Sequence, residues 1–268
     1  MGDDLFRYEK GDGIAHIFFN RPDRLNAIND RVLDELEEIL QNLTKDMVTR
    51  VVILSGMGRA FSAGADLEML SSLGQKEGKG ELLWREKRRF GKKGSRVTKE
   101  LENLEQITIA AINGYAIGGG FALALACDFR IAAEDASMWI PEVDLGVPMT
   151  WGTIPRMVGL MGPSRAMEFT LTCDRLSAKE ALEWGLVNKV VPAGEALKIS
   201  QEFAEKILKK PPIAVHLTKS TVRAISSFGL GDVTFCDPDF FQTCAESQDM
   251  EEAVRAFREK REPRFQGK

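Results

Sequence analysis

The chain has 268 residues, 44% of them hydrophobic, and a formal net charge of −4. That length lies near the upper limit for a single core, so one large domain with a smaller appendage is expected. The acidic balance argues against nucleic acid as the main partner, and no uninterrupted apolar run approaches the roughly 18–20 residues that span a bilayer.

The opening MGDDLFRYEK lacks the basic-then-apolar layout of a secretory signal and the Arg-rich layout of a transit peptide. The closing QGK is not a peroxisomal address. A cytoplasmic location is the expectation. In chain order, GIAHIFFN (13–20) and RVVILSG (50–56) are apolar, rich in β-branched and aromatic residues, and end in turn residues, as strands do. Between them, INDRVLDELEEILQNL places Val32, Leu33, Leu36, Ile39, Leu40 and Leu43 on one helical face, which completes a strand–helix–strand unit. GRAFSAGADLEML (58–70) then sets Ala63, Gly64 and Ala65 at a turn before a helix expected to start near Asp66. The stretch 72–95 has five glycines and a basic cluster, Arg85, Lys87, Arg88, Arg89, Lys92 and Lys93. It reads either as a solvated connection or as a flap over an anionic ligand.

ITIAAING (107–114) and DFRIAAE (128–134) repeat the buried-strand pattern on either side of three consecutive glycines, Gly118 to Gly120. An α/β sheet fold follows. Glycine is a poor helix former, so its use at a strand-to-helix turn points either to free N–H groups that approach a ligand oxygen or to close helix packing on the sheet. No GxGxxG or GxxxxGK[ST] accompanies it, which disfavours a dinucleotide site. Further on, SAKEALEWGLV opens with a capping box, Ser177 with Glu180, and meets Gly185 at its end. From about residue 195 only helical patterns remain, over 194–209, 211–226 and 247–262.

The polar residues are less telling. His16 and His216 have no Cys, Asp or Glu at metal-ligand spacing, and the four cysteines form no CxxC pair, so no metal site is expected. Thr150 and Trp151 follow Glu142 on a loop that can line a pocket, although Trp151 equally suits a core position.

Taken together, NRPDRLNAI, AFSAGADL, INGYAIGGG, ACDFRIAAEDA, PEVDLG, RLSAKEALEWGLVNKVVP and FREKREPRF resemble, in this order, the crotonase superfamily, the enoyl-CoA hydratase and isomerase group. The resemblance covers nearly the whole chain. It implies an α/β spiral of strand–strand–helix units over 1–194, carrying an oxyanion hole and an acyl-CoA site. A C-terminal helical region over 195–268 would serve oligomerisation and CoA contact, as a homotrimer or a dimer of trimers. The substrate would be a coenzyme A thioester, with no permanently bound cofactor. By the same resemblance, the backbone N–H groups of Ala63 and Gly119 hold the thioester carbonyl. Arg24, Leu25 and Asn26, with Ala65, Asp66 and Leu67, contact the CoA. Phe257 and Lys260 reach it from a C-terminal helix, commonly across a subunit boundary.

One departure matters. Hydratases of the family carry two glutamates; the second matches Glu142, but the first position holds Ala122. A methyl group neither positions water nor exchanges a proton. The resemblance therefore implies a single-glutamate enzyme that isomerises an enoyl-CoA or hydrates it with one base, with Ala122 beside the acyl group. The alternatives are a hydratase-lyase for an aromatic enoyl-CoA, or a non-catalytic acyl-CoA-fold protein that binds RNA through the basic 85–93 segment.

Overall fold

The computed structural model describes residues 4–66, 93–144 and 149–228, and beyond them residues 248, 252, 256, 259, 261, 264, 266 and 268. The chain enters through an antiparallel hairpin of β1 (Phe6–Gly11) and β2 (Ile14–Phe19), then crosses over α1 (Asp30–Thr44) to β3 (Val51–Gly56), parallel to β2. α1 starts where Asn29 accepts a hydrogen bond from the Val32 N–H at 3.1 Å, an N-cap that satisfies a donor the helix itself leaves open. Val32, Leu33, Leu36, Leu40 and Leu43 are buried, whereas Ile39 is only half-buried at the edge of that face.

A short strand follows each of the next three long ones. β3 turns into β4 (Ala60–Ser62); after a helix over 93–103, α2, strand β5 (Ile107–Ile112) turns into β6 (Tyr115–Ile117) and the helix α3 (Gly119–Ala126). β7 (Phe129–Ala133) in turn gives β8 (Ser137–Trp139). Beyond these lie α4 (Thr153–Met161), α5 (Pro163–Thr172), β9 (Leu176–Ser177), α6 (Ala178–Glu183) and β10 (Lys189–Val191). The long strands, with β10 at the edge, form one sheet in the order β1-β2-β3-β5-β7-β10, and the other short ones a second, β4-β6-β8-β9. Every residue of β5 is buried, as are the first five of β3, which is why both read as continuous apolar runs rather than alternating ones. The capping box of α6 is present, and Gly185 takes the left-handed conformation just past its end.

The expected boundary at 194/195 does not separate two packing units. α7 (Ala196–Leu208) lays Ala196, Ser200 and Ala204 on β3, β5 and β7. α8 (Pro212–Phe228) is tied to the same sheet by Lys219, which donates to the Gln106 carbonyl and to Asp128 at 2.6 Å, and by Arg223, 3.0 Å from Asp128. Both helices thus pack on or are tied to the sheet of the first 194 residues. Gln248, Glu252, Ala256 and Glu259 are helical, within the third expected C-terminal stretch. His16 hydrogen-bonds Gln201 at 2.9 Å between β2 and α7, which is a structural role. Among the described residues, no helix is long and apolar enough to cross a membrane.

Candidate active site

The three glycines answer to three different neighbours. Gly118 has φ +49 and ψ −117, a conformation that side-chain-bearing residues avoid, and its N–H donates to the Trp139 carbonyl at 2.9 Å. A Cβ on Gly118 would lie 2.5 Å from Glu142 Oε1. A Cβ on Gly119 would lie 2.6 Å from Cζ3 of the Trp151 indole, and one on Gly120 would lie 2.6 Å from Ser62 Cβ. The backbone is bare because a carboxyl, an indole and a strand close on it from three sides. The helix packs closely, and no side chain caps the first turn of α3.

The second turn, after β4, backs onto this one. Gly64 has φ +80, and a Cβ there would be 2.6 Å from the Ile117 carbonyl oxygen and 3.4 Å from the Gly119 nitrogen. Here the structure corrects the expected donor. The Ala63 N–H donates to the Leu25 carbonyl at 2.9 Å and is spent. The Gly64 N–H donates to Ser62 Oγ at 3.2 Å. Ala65 forms a parallel bridge with Ile28, in which the Ile28 N–H donates to the Gly64 carbonyl at 2.7 Å and the Asp66 N–H to the Ile28 carbonyl at 2.8 Å. In a parallel bridge of this register the N–H of Ala65 itself points away from Ile28. It is the open donor of the turn, and Ala65 stands where Ala63 was expected.

Glu142 supplies the chemistry. Its carboxyl lies over Gly118, and its Oε2 is buried without a hydrogen-bond partner among the described residues. Burial pushes its pKa up from 4.5 to about 7, only partly offset by a hydrogen bond to its own backbone. A carboxyl poised near neutrality, with one oxygen unpartnered among the described residues, is suited to receive and return a proton. Ala122 is fully buried one turn along α3, and its N–H donates to the Gly118 carbonyl at 2.9 Å. Side chains three and four residues apart share a helix face, so its methyl belongs to the face on which Glu142 and Trp151 lie. Trp151 is 5% exposed, at φ +56, with its carbonyl accepting from Thr98 Oγ1 at 3.0 Å and from Arg156 at 2.8 Å. Thr150 is exposed, and its carbonyl accepts from Thr153 at the start of α4. Asp144 is exposed.

The remaining expected contacts divide. Asn26 is 1% exposed, and its side chain is occupied by the protein: Nδ2 donates to the Met57 and Ala60 carbonyls at 3.0 and 2.7 Å, and Oδ1 accepts from the Arg21 N–H at 2.9 Å. With these bonds the Asn26 side chain pins the left-handed turn at Leu25 and Asn26 to the start of β4. The Asp66 carboxylate pairs with Arg21 at 3.1 Å, which braces the same turn. Arg24 is exposed beside it. A cavity of about 270 Å³ runs along the outer face of the short sheet, lined by Leu25, Ile117 and Trp139, with Arg59 and Arg175 at its margin. Arg175 stacks on Trp139 with 4.6 Å between guanidinium and ring centroid. The sequence held no signal for Arg59, Trp139 or Arg175, because strands of two or three residues show no period. Leu67, Phe257, Lys260 and the basic residues Arg85 to Lys92 lie outside the described residues. Lys93 does not: it is buried and ion-paired with Asp30 and Asp34 at 3.3 and 2.7 Å, so it offers no charge to a polyanion.

Residues 9–268 match the family model described as enoyl-CoA hydratase/isomerase. The chain is 36% identical over 258 residues to the crotonyl-CoA hydratase of Syntrophomonas wolfei, covering 96% of each protein. It is also 36% identical over 254 residues to the short-chain-enoyl-CoA hydratase of Clostridium acetobutylicum, covering 94% of each. The crystal structure of enoyl-CoA hydratase from Bacillus anthracis superimposes with a TM-score of 0.91 at 36% identity, over 99% of this chain and 100% of that one.

Proposed function

Since this chain belongs to the enoyl-CoA hydratase/isomerase family, the crotonase superfamily, and is an enzyme of hydratase/lyase type, we propose that it forms and reprotonates the enolate of an enoyl-CoA thioester. Glu142 is the proton carrier, and the Ala65 and Gly119 N–H groups are the oxyanion donors. The observation that carries this reading is the Glu142 carboxyl on Gly118, its Oε2 buried and without a hydrogen-bond partner among the described residues, one residue from the open N-terminus of α3.

The steps follow from the geometry. The thioester oxygen sits between two preorganised N–H donors, whose interaction strengthens as the oxygen becomes negative. Glu142 takes a proton from C2 of a 3-enoyl-CoA, and the electron pair of that C–H bond delocalises into a dienolate. The neutral carboxyl then returns the proton to C4, and the double bond is left between C2 and C3. One carboxylate suffices, and no atom is gained or lost. A second reading is favoured by the hydratase names of the two relatives at 36% identity: water adds its hydroxyl to C3 and a proton reaches C2, with Glu142 alone serving as acid and base.

In this proposal Leu25, Ile117 and Trp139 line the approach of the CoA chain, and Arg24, Leu67, Phe257 and Lys260 contact the cofactor portion of the substrate. The enzyme acts in the cytoplasm as a trimer or a dimer of trimers. Met167 and Leu171, each 60% exposed one turn apart on α5, are suited to a subunit interface. Spectrophotometric turnover of 3-enoyl-, 2-enoyl- and aromatic enoyl-CoA esters, alongside a salt-dependent RNA titration, separates the readings. Absence of turnover on every ester, with tight RNA binding, would overturn the enzyme reading.

A further inference from the structure

Trp151 is an unusual residue to find in its place. A bulky aromatic in the left-handed region is strained, yet the backbone there is held by two hydrogen bonds to its carbonyl, from Thr98 on α2 and from Arg156 on α4. The ring has room only because two neighbours are glycine. A Cβ on Gly119 would meet Cζ3 and Cη2 at 2.6 and 2.9 Å, and a Cβ on Gly94 of α2 would run into the indole from the other side. Three elements thus collaborate to hold an indole against the first turn of α3.

The consequence lies on the face of α3. A helical side chain leans toward the N-terminus and covers the turn before it. A side chain longer than methyl at 122 would therefore extend over Gly118 and Gly119, toward the Glu142 carboxyl on the first and the Trp151 ring on the second. Ala122 already has no exposed surface. We propose that the Trp151 indole is the specificity-determining wall of the acyl site: it fills the volume that a second acid at position 122 would need and screens Glu142 from bulk water, so the proton chemistry rests on one carboxyl. The proposal rests on the one-carboxylate reading above and deepens it, since the indole and a second carboxyl are alternative occupants of one space.

Two measurements test this. In the first, Ala122→Glu, Trp151→Gly and the double variant are compared for hydration of a short 2-enoyl-CoA and for thermal unfolding; glycine at 151 suits the left-handed backbone. Ala122→Glu alone is expected to melt lower than the parent and to lose turnover. The double variant is expected to recover melting temperature relative to the sum of the single changes and to gain hydration by about 10²-fold, the order that a positioned acid–base group supplies. Additive melting shifts, or equal hydration by Ala122→Glu with and without the indole, would overturn the proposal.

The second measurement needs only a conservative change. In D2O, a carboxyl screened from water hands the C2 proton to C4 before it exchanges. The parent is expected to retain protium at C4, and Trp151→Phe, which opens a gap beside the ring, to retain several-fold less. Equal retention in both would also overturn the proposal, whereas a change of stability alone would not alter that fraction. Failure of the one-carboxylate reading looks different: Glu142→Gln would keep its turnover.

Discussion

Replacing Glu142 by Gln keeps the shape of the side chain and removes its proton chemistry, so activity and stability should move in opposite directions. In the folded protein, burial raises the carboxyl from 4.5 to about 7. A raised carboxylic pKa means that the folded state holds the proton more tightly than the unfolded chain. Below about pH 4.5 the group is neutral in both states and costs nothing. Between about 4.5 and 7 the unfolded chain ionises first, and stability falls as pH rises; above 7 the cost is constant. At about 1.4 kcal/mol for each tenfold difference in proton affinity, the full cost approaches about 3 kcal/mol, and solvent at this partly exposed carboxyl reduces it to about 1–2 kcal/mol. Gln has no charge to desolvate, so at pH 8 the variant should melt about 3–6 °C higher, at roughly 2–4 °C per kcal/mol for a chain of this size. The advantage should vanish near pH 4. Over the same comparison, kcat should fall by about 10²–10⁴ while KM changes little, the signature of a group used in the transition state rather than in binding. Thermal unfolding at fixed protein concentration across pH 4–8, with steady-state kinetics on the enoyl-CoA ester that the parent turns over, gives both numbers. A variant that is less stable at pH 8, or one with near-normal kcat, refutes the assignment of Glu142 as a desolvated base.

In the parent enzyme, kcat/KM for a reaction that begins with proton removal should rise with pH through about 7 and level off, as Glu142 ionises; a profile flat from pH 5 to 9 contradicts this. Gly120→Ala should cripple the enzyme with little change in surface, because the added methyl meets Ser62 Cβ at 2.6 Å and its backbone oxygen at 2.7 Å, and so pushes the N-terminus of α3 away from the Ala65 turn; activity above a tenth of the parent argues against that turn as an oxyanion site. Asn26→Ala removes two donated hydrogen bonds from a fully buried side chain and should cost about 2–3 kcal/mol of stability, read by denaturant unfolding. Light scattering at micromolar concentration should give a multiple of the 29.8 kDa chain mass, three or six; a monomer contradicts the assembly proposed above.

Much of this protein was legible in its sequence because the signals were local. Helix α1 announces itself by the spacing of Val32, Leu33, Leu36, Leu40 and Leu43, the buried strands β3 and β5 by unbroken apolar runs, and α6 by Ser177 and Glu180 three residues apart. Each pattern is set by the period of one element and needs no knowledge of its neighbours. Glu142 and the glycines stood out for their residue type in recognisable motifs. The short strands β4, β6 and β8 were invisible, since three residues are too few to display an alternation.

The details that decide chemistry belonged to the tertiary structure. Ala63, Gly64 and Ala65 are indistinguishable as a string of small residues. Which N–H is open depends on Leu25 and Ile28, 38 and 37 positions away from their partners Ala63 and Ala65, because pairing across the turn consumes one donor and turns another outward. The Asn26 side chain is spent on the carbonyls of Met57 and Ala60, partners that lie more than thirty residues away and that its residue type does not reveal. Trp151 could have served core or pocket equally well. Its position against Gly119 follows from Gly94 on a different helix, a contact 57 residues distant in the chain. A proton carrier's affinity is likewise a property of what surrounds it: Glu142 is an ordinary glutamate until the fold removes water from its carboxyl and returns only a hydrogen bond to its own backbone among the described residues.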